Sequence, residues 1–106
     1  MDYCVVLSTA GSQEEADKIA GALLENHAAA CVQMSPIVSH YRWKGKVEQA
    51  NEIHLIIKTT NAQYQRVENL IRENHSYDVP QIVKLPIIVG LPEYLDWISI
   101  NSYNQE

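Results

Sequence analysis

A chain of 106 residues has the size of one domain, and 46% apolar against 20% charged residues with four Gly and four Pro is the balance of a globular fold, not of a disordered or fibrous chain. Thirteen acidic against eight basic residues give a net charge of −5, which opposes binding to phosphate backbones or anionic lipid, so neither nucleic acid nor a membrane is an expected partner. No segment approaches the roughly 18 apolar residues of a membrane span, and Met1-Asp2-Tyr3-Cys4 carries no basic region ahead of its short apolar run, so the expected location is the cytoplasm.

The first element is the apolar, β-branched run Tyr3-Cys4-Val5-Val6-Leu7-Ser8-Thr9, closed by Ala10-Gly11. Such a run predicts a central strand buried on both faces. Ser12 stands three residues before Glu15, the spacing of a capping box, and Glu14 and Glu15 put negative charge where a helix dipole favours it. Ala16, Ile19, Ala20, Leu23 and Leu24 continue as one apolar stripe that ends near His27. From Ala30 to Trp43 the pattern is extended, and Pro36 predicts a bend or bulge on an edge strand. Lys44-Gly45 is the expected hairpin turn, after which residues 46–59 return with Ile53, Leu55 and Ile57 on one side and Glu52, His54 and Lys58 on the other. Strands of that length outrun the core of so small a domain, so the hairpin is expected to find cover elsewhere.

Asn61 is the expected N-cap of a second helix that runs to Asn74, with Tyr64, Val67 and Ile71 inward. After a break over residues 75–80, Gln81 to Val89 reads as a strand whose odd positions, Val83, Leu85, Ile87 and Val89, are half-buried, with Pro86 on an edge. Pro92, Glu93 and Asp96 open a short terminal helix, and Ser102 to Glu106 read as a polar tail. The order strand, helix, strand, strand, helix, strand predicts an α+β fold: a ferredoxin-like split βαβ sandwich with an extra C-terminal helix and a long β2-β3 hairpin, in a single domain over residues 1–106. That fold hosts many activities, so function has to be argued from particular residues.

Cys4 and Cys31 fit neither CxxC nor a zinc-finger spacing and read as free interior thiols, with a soft metal ligand or a nucleophile as the functional alternatives. The turn Ser8-Thr9-Ala10-Gly11-Ser12 leads into a helix N-terminus but lacks a glycine-rich phosphate motif, so turn-plus-cap chemistry is expected there in preference to an anion site. His27, His40, His54 and His75 are too widely separated for a preformed zinc site, and His27 reads as a dipole partner at a helix end. His75 opens the turn His75-Ser76-Tyr77-Asp78-Val79-Pro80, where imidazole, hydroxyl, phenol and carboxylate crowd together as borderline and hard cations prefer. His75 and Asp78 are therefore the candidate metal ligands for Cu or Zn, although the same residues also make an ordinary helix-ending turn. Ser8, Cys31 and His75 could meet as nucleophile and base only through folding, so no enzymatic activity is expected and no cofactor is required. Tyr41 and Trp43, set among Arg42, Lys44 and Lys46 near the hairpin tip, are the expected interface anchors.

Several of these segments occur together in one family. Ala30-Cys31-Val32-Gln33, Pro36-Ile37-Val38-Ser39, Tyr41-Arg42-Trp43-Lys44-Gly45-Lys46, Ile57-Lys58-Thr59-Thr60, His75-Ser76-Tyr77-Asp78-Val79-Pro80 and Tyr94-Leu95-Asp96-Trp97 fall in the order and spacing of the CutA-type divalent-cation tolerance proteins, which the chain resembles over essentially its whole length. The resemblance implies a ferredoxin-like protomer in an interlocked homotrimer, with an architecture similar to PII-type signalling proteins. It implies a link to copper and other divalent cations, acting by binding rather than catalysis. The alternative it implies is a PII-like sensor or adaptor that binds a small ligand in the intersubunit clefts. The chain departs from relatives that carry a cysteine at the position of Ser8 and a further histidine at that of Asn74, which leaves His75 as the strongest ligand of that constellation.

Overall fold

The structure, a computed structural model, describes residues 2–104; Met1 and the tail residues Gln105 and Glu106 lie outside them. Four strands, β1 (Tyr3–Ala10), β2 (Cys31–Trp43), β3 (Lys46–Thr60) and β4 (Ile82–Pro86), form one antiparallel sheet in the order β2-β3-β1-β4. Helices α1 (Gln13–Glu25) and α2 (Tyr64–Glu73) complete the split βαβ pattern, and α3 (Pro92–Asn101) is the extra C-terminal helix. The expected α+β, ferredoxin-like architecture is what the chain adopts.

Side-chain alternation explains where the core sits. Cys4, Val6, Ala10, Leu55 and Ile57 point to one face and are buried under Ala16, Ile19 and Leu23 of α1 and Val67 and Ile71 of α2. Tyr3, Val5 and Leu7 point the other way and are half-buried, so β1 is central but buried on both faces only at its C-terminal end, over Ser8 to Ala10. The odd residues of β4 pair across the same outer face, Leu85 opposite Val5 and Val83 opposite Leu7, and both are exposed. The expectation for this segment therefore needs two corrections. The strand stops at Pro86, and its inward side carries Ile82 and Lys84, the latter lying over the Tyr64 ring at 5.3 Å.

The α1 ends follow the sequence signals closely. Ser12 Oγ accepts the Glu15 N–H at 3.1 Å, and the Glu15 carboxylate returns to the Gly11 N–H at 3.0 Å, one residue earlier than in a standard capping box. At the other end His27 takes a left-handed conformation (φ 53), with His27 N–H bonded to the Leu24 carbonyl and Ala28 N–H to that of Leu23. This is a Schellman motif with histidine where glycine is usual. The α2 start differs from expectation: a 3-10 turn (Asn61–Gln63) precedes the helix, Thr60 holds the N-cap position of that turn and Gln63 that of α2, neither with a side-chain cap bond.

β2 and β3 pair without interruption from Cys31↔Lys58 to Trp43↔Lys46. Pro36 sits on the edge strand as expected, but in register opposite Ile53 and without a bulge. The turn is tight because Lys44 (φ 50) and Gly45 (φ 78) are both left-handed, the requirement of a two-residue hairpin with the native strand twist. Beyond Pro36 and Ile53 the pair leaves β1 behind and projects as a free arm, which accounts for the 44 Å longest dimension of the chain.

Candidate functional site

The chain brings its chemistry-bearing side chains together at one corner, where β1 ends, α1 begins, the arm leaves the sheet and the turn after α2 closes over them. β4 runs out opposite Ser8, and the His75 imidazole takes the carbonyl of the next residue, with Nε2 2.6 Å from Thr9 O. The other ring nitrogen, Nδ1, accepts the Tyr77 N–H at 3.1 Å, so Nε2 carries the hydrogen and the neutral ring is fixed in one tautomer. The ring also packs on Tyr77, with centroids 4.7 Å apart.

Glu15 holds the same turn to α1. One carboxylate oxygen accepts from Gly11 N–H and the other from Ser76 N–H at 2.7 Å. Burial pushes this carboxyl up, but the hydrogen bonds from Gly11 and Ser76 hold it below its ordinary value. The sign of the consequence follows: a carboxyl lowered on folding contributes stability that is present above the unfolded value, near 4.3, and lost as pH falls through the lower folded one. Glu15→Gln is expected to remove that dependence and to cost about 1.5–3 kcal/mol, the range for hydrogen bonds to a charged group. Urea titrations at pH 7 and below pH 4 check it; equal destabilisation of wild type and variant across that range would refute the role.

Tyr77 ties the turn to the arm. Its hydroxyl donates to Glu52 Oε2 at 2.9 Å, and burial followed by the Glu52 carboxylate pushes the phenol up to about 12. A Cβ on Gly11 would stand 3.2 Å from the same hydroxyl, so the absence of a side chain at position 11 lets the phenol lie against the end of β1. The raised group stabilises the fold below the ordinary tyrosine value of about 10, and that contribution disappears as pH rises toward 12. Tyr77→Phe should flatten the alkaline limb of the unfolding curve between those values, measured by circular dichroism; an unchanged limb would assign it to other groups.

Two grooves of about 420 and 440 Å³ flank the Gly11-Ser12 turn. The first runs along the base of the arm past Pro36, Val38, Asn51 and Ile53, and the second lies over Glu14, Lys18, Asn74 and Ser76. The start of α1 that separates them is already satisfied by its own cap, in line with the turn-plus-cap reading.

The candidate ligands are placed as follows. His75 has both ring nitrogens in hydrogen bonds, so a metal ion would have to displace Tyr77 N–H or rotate the ring off Thr9. Asp78 is exposed on the same turn. Ser8 is fully buried and its hydroxyl donates to the Gln81 carbonyl at 2.7 Å, while the Asn74 amide donates to Leu70 O in its own helix. Among the described residues no group of three or more His, Cys, Asp and Glu is placed to hold one ion. Cys4 is a buried free thiol that burial pushes up, and Cys31 is free and half-buried. Glu15, Glu52 and Gly11 were not candidates on sequence; the one local signal was the Glu15 capping spacing, which says nothing of its second partner, Ser76.

The family model described as CutA1 divalent ion tolerance protein matches residues 4–101. The chain belongs to this family. The divalent-cation tolerance protein CutA of Archaeoglobus fulgidus is 47% identical over 91 residues, covering 86% of this chain and 89% of the relative. That of Thermus thermophilus is 44% identical over 99 residues, covering 92% and 96%. Among solved structures, the A. fulgidus protein, described as a periplasmic divalent cation tolerance protein, superposes with a TM-score of 0.93 at 42% identity over 95% of this chain and 99% of its own. CutA1 from Oryza sativa superposes with a TM-score of 0.95 at 35% identity over 99% of this chain and 97% of its own. The family assignment and the α+β fold thus agree, and the relatives named above are described as tolerance proteins.

Proposed function

We propose that this CutA-family protein serves divalent-cation tolerance as a homotrimer that binds the ion and does not turn over a substrate. The observation that carries the assembly is the arm: Val38, Tyr41, Trp43 and Val47 are exposed along it, and the outer edges of β2 and β4 pair with no strand among the described residues. Exposed apolar surface and open strand edges on this scale call for a second copy. Tyr41 and Trp43 are the anchors of that contact, and the ring-closing symmetry of a trimer uses each arm once. A cytoplasmic location fits two unpaired cysteines, because oxidising compartments favour disulfides.

For the ion, Cu²⁺ or Zn²⁺, His75 and Asp78 supply the first contacts, and water or a neighbouring copy supplies the rest of the shell. Binding is then modest, because the ion must replace a hydrogen bond that the His75 ring already makes within the fold. Calorimetry with each metal on the wild type and on His75→Gln tests this, since the Gln amide can still donate to Thr9 O while the imidazole ligand is gone. The expected result is at least a tenfold loss of affinity; unchanged binding would remove His75 from the site. The sensor reading is favoured by the two grooves beside Gly11, which have the volume of a small-ligand site. A thermal-shift panel of metals and nucleotides separates the two, because only ligands of the native state raise its melting temperature.

A further inference from the structure

The turn after α2 holds the root of the arm. Ala10↔Ile53 is the last pair of β1 with β3, so Glu52 is the first residue of β3 without β1 beside it, and it stands opposite Ile37 of β2. Its carboxylate accepts the Tyr77 hydroxyl at 2.9 Å, at the point where the arm leaves the sheet. The Tyr41 phenol, further out on the arm, is within electrostatic reach of the same hydroxyl. Tyr77 is in turn bound to His75 twice, through the ring contact and through the N–H that Nδ1 accepts. His75, Tyr77 and Glu52 thus link the end of β1 to the arm inside one protomer, by contacts that do not depend on which surface the assembly covers.

A two-stranded ribbon has no further strand to set its direction, so its angle to the body is decided at the root. An arm already pointed at its neighbour has less freedom to lose on assembly, and a tie at the root therefore strengthens a complex without touching the partner. The neutral His75 ring donates from Nε2 to a backbone carbonyl, the bond that a metal-bound histidine usually keeps. Nδ1 then holds the one ring lone pair, which Tyr77 N–H now uses. A cation that takes this lone pair deprives Tyr77 of its backbone anchor and loosens its hold on Glu52.

We propose that His75, Tyr77 and Glu52 form a relay that couples occupancy of His75 Nδ1 to the strength of the homotrimer: the arm is held for its neighbour while the ring keeps its present bonds, and is released when Nδ1 is taken. The inference rests on the homotrimer and the His75 site proposed above and adds their regulation. Because coupling between two binding events is reciprocal, assembly in turn lowers the affinity of His75 for an ion.

Subunit exchange tests the relay. Unlabelled and isotope-labelled copies of the full chain are mixed with a chelator, in urea below the unfolding transition, and mixed trimers are followed by native mass spectrometry. Tyr77→Phe and His75→Gln should each speed exchange by about fivefold or more, the low end of couplings between sites. The first cuts the tie to Glu52, and the second removes the acceptor of Tyr77 N–H while its amide can still reach Thr9 O. With Tyr77→Phe already in place, His75→Gln should add less than about twofold, whereas two independent effects would multiply. Full multiplication, or exchange unmoved by Tyr77→Phe, overturns the relay. Saturating Zn²⁺, with binding read by calorimetry, should speed wild-type exchange by about fivefold or more and leave Tyr77→Phe near its own metal-free rate. Zn²⁺ that binds without changing wild-type exchange overturns the relay and leaves the metal site standing. A chain that binds no Zn²⁺ removes the metal site, and the metal-free double-mutant cycle then decides the relay by itself. A wild type with the mass of one chain removes homotrimer and relay together.

Discussion

Replacing Trp43 by alanine is expected to leave a folded chain that no longer holds the proposed trimer, at concentrations where the wild type should scatter light as three copies of a 12.0 kDa chain. Trp43 is 56% exposed at the arm tip, with Lys44 Nζ 5.8 Å from its ring, and within the protomer it supports little beyond the last pair of the hairpin. Its removal therefore costs the monomer almost nothing. At an interface, a central aromatic anchor is worth about 2 kcal/mol or more on truncation, and a ring of three loses it three times, about 6 kcal/mol for the assembly. The trimer dissociation curve should move by several decades. Tyr3→Ala is the control, since Tyr3 lies between the sheet and α3 and touches Ser99 instead of the arm. Light scattering after size exclusion decides the matter: a wild type with the mass of one chain at micromolar concentration refutes the proposed role of the arm. Equal behaviour of the two variants places the anchor elsewhere.

The arm was legible because it depends on local pattern alone. Alternation along residues 37–57, a two-residue turn and the absence of a helical stripe are enough to give two long paired strands, and their pairing runs unbroken as far as Trp43↔Lys46. The same alternation misled at β4. Val83 and Leu85 are apolar and odd, yet they face away from α1 and α2, and the inward Lys84 reaches over Tyr64. Period-two hydrophobicity identifies an apolar face but not which layer covers it, and when a sheet is apolar on both sides the phase is ambiguous. The corner was less legible still. Glu15 meets Ser76 across 61 positions, and Tyr77 meets Glu52 across 25. Contacts of that separation are made by topology, and no spacing rule reports them. What sequence did supply was the composition of the turn: polar groups dense enough to staple three elements look, as a string, much like ligands waiting for a metal.

His75→Ala separates those two meanings. The substitution deletes the bond to Thr9 O, the acceptor for Tyr77 N–H and the ring packed on Tyr77. Thr9 is buried, so loss of its partner costs about 1–3 kcal/mol; the aromatic contact adds about 0.5–1.5 kcal/mol. The variant is expected to be about 2–4 kcal/mol less stable in urea unfolding without any metal present. His75→Gln, whose amide can still reach the carbonyl, should lose less than half of that. If the imidazole served only as a ligand, both variants would unfold at the wild-type midpoint and differ from it only in metal titrations. If it served only as a staple, the Gln variant would bind metal as the wild type does. A stability loss graded Ala over Gln, together with equal loss of binding in both, is the result expected of a ring that fixes the corner and meets the ion by exchanging one of its two hydrogen bonds. That exchange also sets why binding should be modest: each ion bound at His75 must compete with a bond the fold already makes.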